Sequence, residues 1–101
     1  MNCIFCKIVS GEIPAQKTHE DEHFIAFLDI NPKGPRHTLL IPKNHHQWFY
    51  EMPEEMHDEM FRTARDMARK LKEETQSDYV KLLVDGRDVP HVHVHLIPSS
   101  L

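Results

Sequence analysis

Apolar residues recur at two periods along the chain, and those periods divide it into elements. Between residues 53 and 75, Met56, Met60, Ala64, Met67, Ala68 and Leu71 fall three or four residues apart, which gathers them on one face of a helix. Pro53 suits a first-turn position, and Glu54 and Glu55 complement the positive end of the helix. Shorter apolar runs bounded by turn residues predict strands. "KTHEDEHFIAFLDI" predicts a hairpin with a polar turn at Glu20–Asp21 and a second strand over 24–28. "NPKGP" is a turn, "HTLLIPK" a strand ending at Pro42, and "DYVKLLVD", residues 78–85, a further strand. "GRDVP" turns the chain into a last strand over 91–97. Near the start, residues 3–9 predict a short helix or turn packing Ile4, Phe5 and Ile8, with Gly11 and Pro14 as breakers. Strands, one long helix and strands again, joined by short links, favour an α+β antiparallel sheet over a doubly wound parallel one.

Composition narrows the function classes. The 101 residues are enough for a single domain spanning 1–101. A chain of this size has a modest core, which pairing with a second copy would enlarge. The formal net charge of −4, from 12 basic and 16 acidic residues, gives no electrostatic case for nucleic-acid binding. No apolar run approaches the length of a membrane span. The opening "MNCIFCKIVSG" lacks the basic-then-apolar profile of a secretory signal, so a cytoplasmic location is expected. With glycine only at 11, 34 and 86, neither a P-loop nor a dinucleotide fingerprint can be built.

Nine histidines are the anomaly, and three of them alternate in "HVHVHLIP", residues 91–98. On a strand, His91, His93 and His95 share one face while Val92, Val94 and Leu96 take the other. Three uses compete for such a row. It can be a polar face that happens to be histidine, a metal site in which H-x-H supplies two nitrogens, or a nucleophile with acid–base support. Imidazole attacks activated phosphorus and leaves it again readily, which suits a transient covalent intermediate. A second pattern, "HEDEH" at 19–23, matches zinc-protease spacings. Those spacings work on a helix, and this segment holds a predicted turn before a strand, so a polar hairpin turn is the better reading.

"HVHVHLIP" resembles the signature of the histidine triad (HIT) family, and "IFCKIVSGEIPA" and "FIAFLDINPKGPRHTLLIPKNH" extend the likeness over nearly the whole chain. The Hint-like branch is the nearest. The resemblance implies a five-stranded antiparallel sheet with one main helix, a homodimer, and hydrolysis or transfer at the α-phosphate of a purine nucleotide such as a nucleoside phosphoramidate. It implies that His93 is the nucleophile that forms a nucleotidyl-histidine, with a backbone carbonyl fixing its tautomer. His95 would bond the phosphate oxygens, and His91 would complete the catalytic set. Asp29 would bind the ribose hydroxyls, and Ile4, Phe5, Ile8 and Phe27 would line the base pocket. Without the likeness, Asp29 is an ordinary strand-end carboxylate and the apolar residues ordinary core. A dinucleoside polyphosphate hydrolase, a nucleotide-binding or scaffold protein with weak catalysis, and a zinc-dependent hydrolase are the alternatives.

Cys3 and Cys6 form a C-x-x-C. In isolation it reads as a zinc half-site, a redox pair or two idle thiols; the redox motif belongs beside a βαβ unit, which the pattern lacks. Some relatives in the family hold a structural zinc between such cysteines, the histidine of "IPKxH" and the first histidine of the triad. Here those positions are Cys3, Cys6, His45 and His91, a closed tetrahedral set of the structural kind. Zinc would withdraw His91 from acid–base work. His19, His23, His37 and His57 read as surface or packing residues.

The sequence also departs from the family. The stretch before the triad is shortened to "VDGRDVPH". Asp85, Arg87 and Asp88 stand where neutral phosphate-binding groups are expected, and backbone N–H groups near Asp88 and Val89 would have to substitute. The C-terminal loop that shapes substrate choice in Hint-like proteins is expected to be missing, since six residues follow His95.

Overall fold

The computed structural model describes residues 3–101. Its elements run α1 (Ile4–Ser10), β1 (Lys17–Glu20), β2 (Phe24–Leu28), β3 (Thr38–Pro42), a 3-10 turn (Phe49–Glu51), α2 (Glu54–Thr75), β4 (Tyr79–Asp85) and β5 (His93–Ser99). The strands form one five-stranded sheet in the order β1-β2-β3-β5-β4, with every neighbouring pair antiparallel. The expected α+β class, the five-stranded antiparallel sheet, the long helix and the short N-terminal helix are all present.

Strand alternation sends side chains to two separate cores. Phe24, Ala26, Leu40, Val92, Val94 and Leu96 meet Met52 and the α2 residues Met60, Ala64 and Leu71. Ile25, Phe27, Leu39 and Ile41 point the other way and meet Cys3, Phe5 and Ile8 of the α1 segment. The sheet therefore lies between the two helices, and the α1 side carries the chemistry-bearing residues described below. The period of α2 selects its buried face, since Met60, Ala64 and Leu71 are buried and Met56, Met67 and Ala68 pack beside them. Pro53 takes the cap position, one residue outside the first turn.

Two boundaries differ from expectation. The last strand begins at His93, two residues later than the apolar alternation suggests, and runs on to Ser99. The N–H of His91 bonds the Val89 carbonyl at 2.7 Å and that of Val92 bonds the His46 carbonyl at 2.7 Å. Both donors are thus diverted from the ladder, although the side-chain alternation continues through them. The 3-10 turn has no counterpart in the apolar pattern.

Gly86 fixes the loop before β5. A Cβ there would overlap the Gln47 carbonyl, while the Gln47 side-chain amide donates to the Gly86 carbonyl at 3.3 Å. The loop is clamped to the segment after β3 because no side chain intervenes.

Candidate active site

A cavity of about 1000 Å³ opens on the α1 side of the sheet. Ile4, Phe5 and Ile8 from α1, Phe27 and Asp29 from β2 and its end, Asp88 and Val89 from the pre-β5 loop, and His93 and His95 from β5 all line it. The nucleotide-binding candidates read from the sequence, together with His93 and His95, thus reach one space, although they come from four segments. The Phe5 ring packs edge to face with Phe27, centroids 5.7 Å apart, and in a T-shaped pair with His93, centroids 5.0 Å apart. The apolar wall suits a flat ring, and the imidazoles and carboxylates supply its polar end.

The two β5 histidines in the cavity have opposite tautomers, assigned by their partners. His93 is buried, and its Nδ1–H donates to the His91 carbonyl at 2.8 Å. Its Nε2 is therefore the nitrogen with the free lone pair. His95 works the other way. The Lys33 N–H donates to Nδ1 of His37 at 3.0 Å, so His37 carries its proton on Nε2. That Nε2–H faces His95 Nδ1 at 2.9 Å, which leaves His95 protonated at Nε2. A lone pair and an N–H donor thus sit on adjacent imidazoles whose centroids are 5.0 Å apart. Burial, the largest cause, holds both His37 and His95 below the ordinary imidazole value; neighbouring imidazoles add for His95, and Asp29 opposes the shift in both. Both are neutral at pH 7, as the hydrogen-bond chain requires.

His37 is the residue that sequence reasoning missed. Treated there as a surface or packing histidine, it is buried, lines the cavity, and lies 3.5 Å through Nε2 from an Asp29 carboxylate oxygen. Half of the signal lies in the sequence, and the strand pairing supplies the rest. Period two places His37, Leu39 and Ile41 on one side of β3, and Leu39 pairs with His95. His37 is then the diagonal cross-strand neighbour of His95.

Asp29 is tied at Oδ1 by the Asn31 N–H at 2.9 Å and keeps its other oxygen toward His37. Asp85 is the more unusual carboxylate. Its Oδ1 accepts the N–H groups of Gly86 and Arg87 at 2.8 and 2.9 Å, and Oδ2 lies 3.9 Å from His93 Nε2. The Arg87 N–H first, then the Gly86 N–H and His93, hold the Asp85 carboxyl below its usual value against the effect of burial. Asp85 is neither protonated nor turned away from the candidate nucleophile.

His91 stands apart. Its ring is fully buried and outside the cavity lining, so its place in a catalytic set is only through the carbonyl it offers His93. Its Nε2–H donates to the Pro42 carbonyl at 2.8 Å, which turns the Nδ1 lone pair toward Cys3 Sγ at 3.4 Å and Cys6 Sγ at 3.5 Å. Cys6 Sγ also lies 3.2 Å from His45 Nδ1. Ligand atoms on a tetrahedral zinc, with bonds of about 2.3 Å to sulfur and 2.0–2.1 Å to nitrogen, sit roughly 3.5 Å from each other. The four groups Cys3, Cys6, His45 and His91, all within 4.8 Å of one another, fit that size and donor chemistry. Burial, with His45, His93 and His46 adding and the Pro42 carbonyl opposing, pushes the His91 pKa down to about 4, so its lone pair is available at neutral pH. The "HEDEH" residues do not converge on a metal. His19 pairs with Asp21 at 2.8 Å and His23 with Glu22 at 2.9 Å, on a strand end and its turn.

The sequence pattern of the HIT domain matches residues 10–100. The chain belongs to the HIT family. It is 44% identical over 100 residues to an uncharacterized HIT-like protein of Methanocaldococcus jannaschii, covering 95% of this chain and 78% of that one. It is 40% identical over 101 residues to the adenosine 5'-monophosphoramidase HNT1 of Saccharomyces cerevisiae, covering 96% of this chain and 62% of that protein. Among solved structures, a zinc-bound histidine triad family protein of Mycobacterium smegmatis superposes with a TM-score of 0.89 at 37% identity, covering 98% of this chain and 76% of that one. The family therefore includes proteins named as nucleotide hydrolases and at least one with bound zinc. Among the described residues no helix is long and apolar enough to cross a membrane.

Proposed function

We propose that this HIT protein hydrolyses purine nucleoside 5'-phosphoramidates or closely related nucleotides at the α-phosphorus, through a nucleotidyl intermediate on His93. One observation carries the reading: His93 has its Nδ1 proton spent on the His91 carbonyl and its Nε2 free beside a cavity large enough for a nucleotide. The purine lies against Ile4, Phe5, Ile8 and Phe27, and Asp29 takes the ribose hydroxyls. The loop at Asp88 and Val89 offers backbone N–H groups to the phosphate.

The atoms balance in two halves. In the first, the His93 Nε2 lone pair forms a bond to the α-phosphorus and the P–N bond of the substrate breaks. The departing nitrogen takes a proton from solvent while the Nε2–H of His95 donates a hydrogen bond at the scissile group, and it leaves as an amine. His93 is then a nucleotidyl-imidazolium, whose charge the His91 carbonyl and the Asp85 carboxylate stabilise. In the second half, water attacks the phosphorus, the P–Nε2 bond breaks, and one proton returns to solvent as the nucleoside monophosphate leaves. The test is turnover of adenosine 5'-phosphoramidate by the wild type and by His93→Ala, with AMP affinity measured in both. Loss of turnover with affinity kept within severalfold supports the reading, and unchanged turnover contradicts it.

Zinc held by Cys3, Cys6, His45 and His91 would supply a structural crosslink. It would tie α1, which carries the cavity-lining Phe5, to the residue whose carbonyl orients His93. The chain is further proposed to be a homodimer. The sheet edge β4 exposes Tyr79, Leu82 and Leu83, and an open apolar edge is the feature that pairing with a second copy would cover. A cytoplasmic location remains part of the same proposal.

A further inference from the structure

Among the described residues, every group lining the cavity that carries a full charge at pH 7 is a carboxylate except one. Asp29, Asp85 and Asp88 stand against Lys33. Asp29 belongs to the ribose end in the proposed reading, so the excess charge at the phosphorus end comes from the shortened loop. Asp85 cannot escape the reacting centre. Two backbone N–H groups fix one oxygen and leave the other 3.9 Å from His93 Nε2, and Gly86 clamps the loop to Gln47. Asp88, exposed on the same loop, adds a second negative charge to the lining. An anionic phosphoryl group bound there meets repulsion, and a leaving group with more phosphates multiplies it.

We infer that Asp85, aided by Asp88, makes this site selective for leaving groups that carry positive charge: amines bearing a second, cationic nitrogen rather than polyphosphates or amino acid carboxylates. The inference rests on the phosphoramidase reading and narrows its substrate class. Specificity of this kind is built by penalising the wrong partner as much as by favouring the right one. The same two carboxylates do both, since a cation gains from the field that an anion opposes. A unit charge about 8 Å from a carboxylate at a protein surface changes a rate constant by roughly fivefold after screening at about 0.1 M salt. Nothing in the apolar wall of the cavity counters that field; Lys33 is the lone cation among the described lining residues, and Arg87, exposed on the same loop, stands outside the lining.

The test uses three adenosine 5'-phosphoramidates of matched leaving-group length, made from 1,3-diaminopropane, butylamine and β-alanine. Their free ends are cationic, neutral and anionic. For the wild-type protein kcat/KM is expected to fall in that order, spanning roughly tenfold or more at low salt and less at high salt. Asp85→Asn keeps an oxygen for the Gly86 and Arg87 N–H groups, so the loop is retained, and it should compress the cation-to-anion ratio severalfold. Asp88→Asn, on an exposed side chain, should compress it in the same direction by less. A wild-type ratio within twofold of one, or a ratio unaltered in Asp85→Asn, overturns the inference while leaving the phosphoramidase reading intact. No turnover of any of the three by wild type overturns both.

Discussion

The Nε2 of His37 lies 2.9 Å from the Nδ1 of His95, and this bond decides which nitrogen of His95 presents a proton to the cavity. His37 also lines the cavity beside Asp29, but it reaches the reacting nitrogen through His95, which makes it a positioning residue for that step. His37→Ala should lower kcat by roughly ten- to a hundredfold, less than the roughly 10²–10⁴-fold worth of the acid or base itself, while KM changes little. His37→Gln, whose amide can donate to the same nitrogen, should recover part of the loss. Equal kcat values for His37→Ala and wild type would show that the His95 tautomer does not depend on this bond.

Acid should impair the protein in a definite direction. His37 and His95 are both held below the ordinary imidazole value, chiefly by burial. In the unfolded chain they regain a pKa of about 6.5, so below that value the unfolded state binds more protons than the folded state. Stability is then fully present above about pH 6.5 and is lost as pH falls through that value and toward the depressed folded pKa values. The acid limb of kcat/KM reports the free enzyme, and any contribution of this pair to it should lie below pH 6.5. Denaturant unfolding between pH 7 and 5 measures the first expectation. A stability that rises on acidification would contradict it.

The cysteine–histidine cluster predicts one zinc per chain in protein purified under reducing conditions. Metal at about a hundred times its dissociation constant adds about 2.7 kcal/mol, which for a chain of this size raises Tm by roughly 10–20 °C. Chelation, Cys3→Ala or His45→Ala should each remove that increment. Elemental analysis and thermal melts with and without chelator check both parts. A zinc ratio near zero, with Tm insensitive to chelator, would leave the four groups as idle partners.

If β4 pairs two copies, light scattering should give twice the chain mass at micromolar concentration. Leu82→Lys places a charge on the exposed edge, where it costs the monomer little because Leu82 is about half exposed (45%). That variant should shift the population toward monomer. A monomeric wild type would remove the dimer from the account.

Local pattern made the architecture legible. Period two on the strands and period three to four on α2 each separate a buried face, and the fold uses both faces of the sheet. The start of β5 was misplaced because alternation of side chains does not reveal where backbone donors go, and His91 and Val92 spend theirs on Val89 and His46. The apolar half of the site was legible only by likeness, because Phe5, Ile8 and Phe27 have the composition of ordinary core. His37 escaped because its partner lies 58 residues away on a strand that is not its neighbour in sequence. Likeness to the family places His91 in the catalytic set, and neither it nor the alternating row reveals that the His91 ring is taken up by Pro42 and the two sulfurs.

The covalent role of His93 is open to direct inspection. Wild-type protein mixed with excess adenosine 5'-phosphoramidate and quenched in alkali within the first turnover should yield a peptide spanning residues 91–98 that carries an added adenylyl group on His93. The adduct should disappear as the substrate is exhausted. Rapid turnover with no adduct on that peptide, or an adduct located on His91 or His95, would contradict the account.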